Sequence, residues 1–129
     1  MTRRISALLL VLAVTTVFAA CSDDGGGGGG DSSSSNQPIT GAPEVSVTGE
    51  NLSFTPDELI VTAGDFNVKL TSEDQFHDFE IEDADGLVQA SSGKTAASGF
   101  TIDDPGEYTF FCTVPGHRAG GMEGTLTVE

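Results

Sequence analysis

From Glu44 to the C-terminus, apolar and polar residues alternate in short runs, a two-residue period that only a β-strand converts into one buried face. Val45 and Val47 alternate in this way, as do Leu52 and Phe54, and Phe66, Val68 and Leu70. His77, Phe79 and Ile81 share one face against Asp78, Glu80 and Glu82, and Tyr108, Phe110 and Cys112 share another. Shorter apolar stretches lie at Leu59-Ile60-Val61, at Leu87-Val88, around Phe100 and Ile102, and at Leu126 to Val128. Turn-forming clusters separate them: Ala63-Gly64-Asp65, Asp83 to Gly86, Ser91 to Lys94 and Asp104-Pro105-Gly106. No stretch sustains a helical period. The pattern predicts an all-β domain over residues 44–129, a sandwich of about seven to eight short strands. It has no Trp and no cysteine pair for a disulfide, so a bound metal would add stability by mass action.

The preceding residues read differently. Met1-Thr2-Arg3-Arg4 is basic, Ile5 to Phe18 is apolar, and Ala19-Ala20 supply small residues before Cys21. That is the layout of a secretory signal over residues 1–20, with an apolar run short of the roughly 20 residues a bilayer span needs. The placement of Cys21 resembles a bacterial lipoprotein signal, which implies a lipidated Cys21 and anchorage to the membrane on its extracytoplasmic side. Ordinary cleavage without acylation is the alternative. Residues 21–43 hold Gly25 to Gly30, Ser32 to Ser35 and three aspartates, a composition suited to a flexible tether.

With Cys21 committed to lipid, Cys112 is a lone thiol in a compartment that permits disulfides, a liability unless something occupies it. It opens the stretch Cys112-Thr113-Val114-Pro115-Gly116-His117-Arg118-Ala119-Gly120-Gly121-Met122, which has the spacing C-x4-H-x4-M. Thiolate, imidazole and thioether together suit copper. The second imidazole is His77, since the chain has only two histidines. Cys112, His77 and His117 would form a trigonal set, with Met122 as a long, weak axial ligand. Structural zinc would favour another Cys or His over Met. A binuclear copper centre would need a second cysteine on this loop. A Cys–His nucleophile pair would lack an orienting third group and leave Met122 idle.

Residues Tyr108 to Met122, the stretch Phe54 to Asp65, and His77 at the head of an alternating strand together resemble the cupredoxin, or blue copper, family. The resemblance covers residues 44–129. It implies a Greek-key β-sandwich holding one copper that cycles between Cu(I) and Cu(II), and an electron carrier, not an enzyme. It also implies that the residue after the first histidine, here Asp78 in place of a frequent Asn, links the ligand loops and brings its backbone N–H to the cysteine sulfur. Alternation instead points the Asp78 side chain away from the core, towards solvent. The resemblance further implies that the His117 edge reaches the surface through an apolar patch, here Val114, Pro115 and Ala119. Arg118 either orients an acidic group of a partner or is solvated. Phe111 is either an exposed aromatic or buried between strands.

All 20 acidic residues follow the leader, and three of the five basic ones do, so the chain after residue 20 carries 3 − 20 = −17. Basic patches for nucleic acid or anionic lipid are thereby excluded. The expected partner is a redox protein, a cytochrome or a membrane oxidoreductase, met by a monomer. A copper-binding or copper-delivery lipoprotein that transfers no electrons would use the same four ligands.

Overall fold

The computed structural model describes residues 32–34, backbone only, and residues 37–129. The leader and Cys21 lie outside the described residues. Among the described residues ten strands follow one another: β1 (Ser32–Ser34), β2 (Glu44–Glu50), β3 (Ser53–Thr55), β4 (Glu58–Val61), β5 (Gly64–Ser72), β6 (His77–Ile81), β7 (Leu87–Ala90), β8 (Lys94–Ile102), β9 (Gly106–Phe111) and β10 (Glu123–Val128). They form a six-stranded sheet in the order β1-β7-β6-β9-β10-β4 and a four-stranded sheet in the order β3-β2-β5-β8. The all-β sandwich is as the alternation predicts, with more strands than expected. One extra strand arises in the serine run of the tether, where Ser32–Ser34 pairs antiparallel with β7. Two pairings are parallel, β2 with β5 and β4 with β10, because the chain crosses between sheets before returning.

The core is a run of phenylalanine rings drawn from both sheets. Phe79 and Phe110 of the larger sheet stack with centroids 4.8 Å apart. Phe54 of the smaller sheet meets both edge-on, at 5.7 and 5.5 Å. Phe100 joins Phe79 to Phe66. Edge-to-face and offset pairs of this kind add to what area burial alone supplies. The period of two ties this core to the ligands. Phe79 lies two residues beyond His77 on the inner face of β6, and Phe110 lies two before Cys112 on β9.

The packed body begins before Glu44, where the sequence places its boundary. Asn67 is buried on β5, on the face opposite Phe66 and Val68. Its Oδ1 accepts the Ile39 N–H at 2.7 Å, and its Nδ2 donates to the Ile39 and Ala42 carbonyls at 2.9 and 3.4 Å. Ile39 lies so close over Gly99 that a Cβ there would sit 2.5 Å from Cγ1. Residues 39–42 are therefore a strap on the smaller sheet, held by one amide side chain where composition shows little to bury.

Because Phe79 touches three other rings, Phe79→Ala is expected to cost the metal-free domain about 3–5 kcal/mol, read by urea unfolding. A loss below about 1 kcal/mol would mean that the ring cluster is not the stabilising centre.

Candidate metal centre

His77 opens β6 and Met122 immediately precedes β10, both fully buried, while Cys112 directly follows β9 with 1% exposure. His117, half-buried, sits in the loop between Cys112 and Met122. The loop is closed by its own backbone: Cys112 N–H donates to Met122 O at 3.1 Å, Met122 N–H to His117 O at 3.0 Å, and His117 N–H to Val114 O at 3.0 Å. Two glycines make that winding possible, Gly116 at φ 87° and Gly121 at φ 107°, a region L side chains rarely adopt.

The donor atoms converge. His77 Nδ1 and His117 Nδ1 are 3.3 Å apart, and Cys112 Sγ is 3.5 Å from His117 Nδ1. All three ligand atoms lie within 4.8 Å of one another. With metal–nitrogen bonds of about 2.0 Å and metal–thiolate bonds of about 2.3 Å, a trigonal ion would put two nitrogens roughly 3.5 Å apart and sulfur roughly 3.7 Å from each. The His77–His117 and Cys112–His117 separations thus match what one small ion demands. Met122 lies beside His77: a Cβ on Gly49 of β2 would be 3.0 Å from Met122 Cε and 3.0 Å from His77 Cδ2. Three of the four residues singled out by type and spacing therefore meet, Cys112 and His117 from the end of β9 and its loop and His77 from β6 beside them, and Met122 is buried next to His77.

Burial dominates the thiol and pushes its pKa up to about 11, although the backbone N–H groups of Asp78 and Val114 hydrogen-bond to the sulfur and pull it back. In the metal-free protein Cys112 is therefore a protonated thiol at neutral pH, and a metal must displace that proton to bind.

Asp78 departs from the expectation that its side chain is solvated. It is 2% exposed, and its carboxylate accepts the Thr113 N–H at 2.6 Å and the Thr113 hydroxyl. Alternation turns it off the inner face, but the loop after Cys112 folds over that side and buries it. Arg118 is exposed, as a solvated arginine would be, and is also paired within the chain. Its Cζ lies 4.1 Å from the centre of the half-buried Phe111 ring, its Nε donates to Glu123 at 3.0 Å, and its Nη2 approaches Glu82 at 3.5 Å.

Two neighbours of the centre carry no motif signal. Gly49 lies under His77 and Met122, at a position where any side chain would press on both. Asp74, in the loop before β6, places Oδ1 2.8 Å from His77 Nε2. The Asn51 backbone N–H above all, with the His77 ring behind it, holds the Asp74 carboxyl below its ordinary range despite partial burial.

The profile of a family described as "Cupredoxin-like domain" matches residues 8–128, nearly the whole chain. The chain belongs to the cupredoxin-like family. Among curated proteins, auracyanin-B of Chloroflexus aurantiacus is 45% identical over 38 residues, a match spanning 30% of this cupredoxin and 16% of that protein. Among solved structures, dithionite-reduced auracyanin from Roseiflexus castenholzii superposes with a TM-score of 0.61 at 26% identity, over 68% of this chain and 98% of that one. Auracyanin B superposes with a TM-score of 0.66 at 21% identity, over 76% and 97% of the two chains. Auracyanin A, a "blue" copper protein from Chloroflexus aurantiacus, gives 0.57 at 22%, over 72% and 100%. The last two likenesses concern the fold. Copper is the metal that this cupredoxin's sulfur and nitrogen donors fit, and His77, Cys112 and His117 are the residues that would hold it.

Gly49→Ala tests how tightly the site is walled. The added methyl must displace His77 or Met122, so copper affinity is expected to fall about 10–100-fold with little change in metal-free stability. Chelator competition measures it, and unchanged affinity would show that both ligands yield freely.

Proposed function

We propose that this cupredoxin is a mononuclear blue copper protein that carries single electrons between redox proteins outside the cytoplasm, and that it is not an enzyme. The observation that carries this reading is the convergence of His77 Nδ1, His117 Nδ1 and Cys112 Sγ on one point. Copper bound there would supply a one-electron couple. The chain's own residues supply the rest. Burial of Cys112, His77 and Met122 keeps water from three of the four donors, while the half-buried His117 gives the centre an edge near the surface. Around that edge, the exposed Pro115 and Ala119 and the half-buried Val114 offer an apolar surface on which a partner would rest. The negative charge of the chain favours a partner with a basic rim, at rates that fall with salt. We place the protein on the extracytoplasmic side of a membrane, held by lipid on Cys21 through the glycine- and serine-rich tether, as a monomer whose partner is a cytochrome or membrane oxidoreductase.

The test is optical and EPR spectroscopy of the copper-loaded protein, followed by its electron self-exchange rate. An intense visible thiolate-to-copper band, small parallel hyperfine splitting and fast exchange with copper retained are expected. A colourless protein with type 2 parameters contradicts the site. A blue protein that exchanges slowly but hands its copper readily to an acceptor is a delivery protein instead.

A further inference from the structure

His77 has two ring nitrogens, and the donor cluster uses one of them. Nδ1 faces His117, while Nε2 is 2.8 Å from Asp74 Oδ1. The ring is fully buried and the carboxylate is 32% exposed, so Asp74 stands between a core imidazole and solvent. The carboxylate is itself fixed. Its Oδ2 accepts the Asn51 N–H at 3.0 Å, and its Oδ1 also accepts the Gln75 N–H at 2.9 Å. Asn51 belongs to the tight turn between β2 and β3, at φ 50°. The anion is thus tied both to its own loop and to the strand pair carrying Gly49.

A neutral imidazole has one N–H and one lone pair. An acceptor-only carboxylate at Nε2 places the proton there and leaves the lone pair on Nδ1, the nitrogen that faces the other donors. We propose that Asp74 is a positioning residue for His77, fixing the tautomer and ring orientation that the metal requires and biasing a bound copper towards its oxidised state. The second effect is Coulombic: an anion hydrogen-bonded to a ligand attracts a dication more than a monocation. Solvent weakens it without abolishing it, because the pair meets at a buried ring. The proposal rests on the copper reading above.

The experiment compares the full chain with Asp74→Asn, Asp74→Ala and, as a charge control one residue away, Glu73→Gln. Asp74→Asn keeps an acceptor for Nε2–H and loses the charge. It is expected to stay blue while the Cu(I)/Cu(II) ratio at a fixed poise rises on the order of tenfold, about 59 mV for one electron. Glu73→Gln is expected to move it far less. Asp74→Ala removes the acceptor, and copper affinity should drop about 10–100-fold. On the unmodified chain loaded with Cu(I), the His77 Nε2–H should appear by NMR as a proton protected from exchange, and this measurement stands even if a variant fails to load. A potential in Asp74→Asn equal to that of wild type or of Glu73→Gln, full affinity in Asp74→Ala, or an unprotected Nε2–H would each overturn the proposal. Wild type that binds copper without blue colour would instead defeat the copper reading itself.

Discussion

The separation of β6 from β9 at one end of the larger sheet, bridged by Asp78, is the constraint on which the metal centre depends. These strands pair antiparallel at Ile81 with Phe110 and Glu80 with Phe111. Continued in the same register, Asp78 would face Thr113, yet the backbone ladder has stopped. The Asp78 carboxylate takes over, accepting the Thr113 N–H and hydroxyl where a strand carbonyl would have stood. His77 and Cys112 sit where the backbone ladder ends, and the Asp78 carboxylate ties the two chain segments together there. A buried carboxylate without such donors would be expensive, so its two bonds to Thr113 are what allow it to sit there. Its backbone N–H meanwhile reaches the Cys112 sulfur. One residue thus holds the loop by its side chain and the ligand by its main chain.

The rest of the fold packs behind this junction. Phe79 and Phe110, each two residues inward of a ligand, stack on one another, and Phe54 and Phe100 close on them from the other sheet. A change at the core is therefore felt at the donors through rigid, close-packed rings. The loop beyond Cys112 is wound on its own hydrogen bonds and pinned at Met122, so backbone geometry fixes its course. Asp74 and Gly49 complete the enclosure from the neighbouring loop and sheet.

The cluster of His77, Cys112 and His117 is legible because copper chemistry restricts residue type severely, and this chain has few histidines and cysteines to choose among. The inner faces were legible because a strand's period is two, so Phe79 and Phe110 follow directly from His77 and Cys112. What alternation does not encode is what covers the other face, and so the burial of Asp78 was missed. The partners of the exposed Arg118 are hidden from the sequence for a related reason: Phe111, Glu82 and Glu123 lie on strands or at strand ends brought together only by the fold. Asp74 lies in a loop with no period, and Gly49 acts through space across the sandwich. The strap at residues 39–42 escaped because its anchor is hydrogen bonding to Asn67, which leaves no mark on composition.

The central claim is that the sandwich, more than the ion, sets the coordination, so the same three close donors should serve both oxidation states. X-ray absorption fine structure on the oxidised and the reduced protein measures this most directly. The account predicts one sulfur and two nitrogens in the first shell of each, at nearly unchanged distances. Loss of a nitrogen on reduction, or a marked lengthening of the copper–sulfur distance, would contradict it.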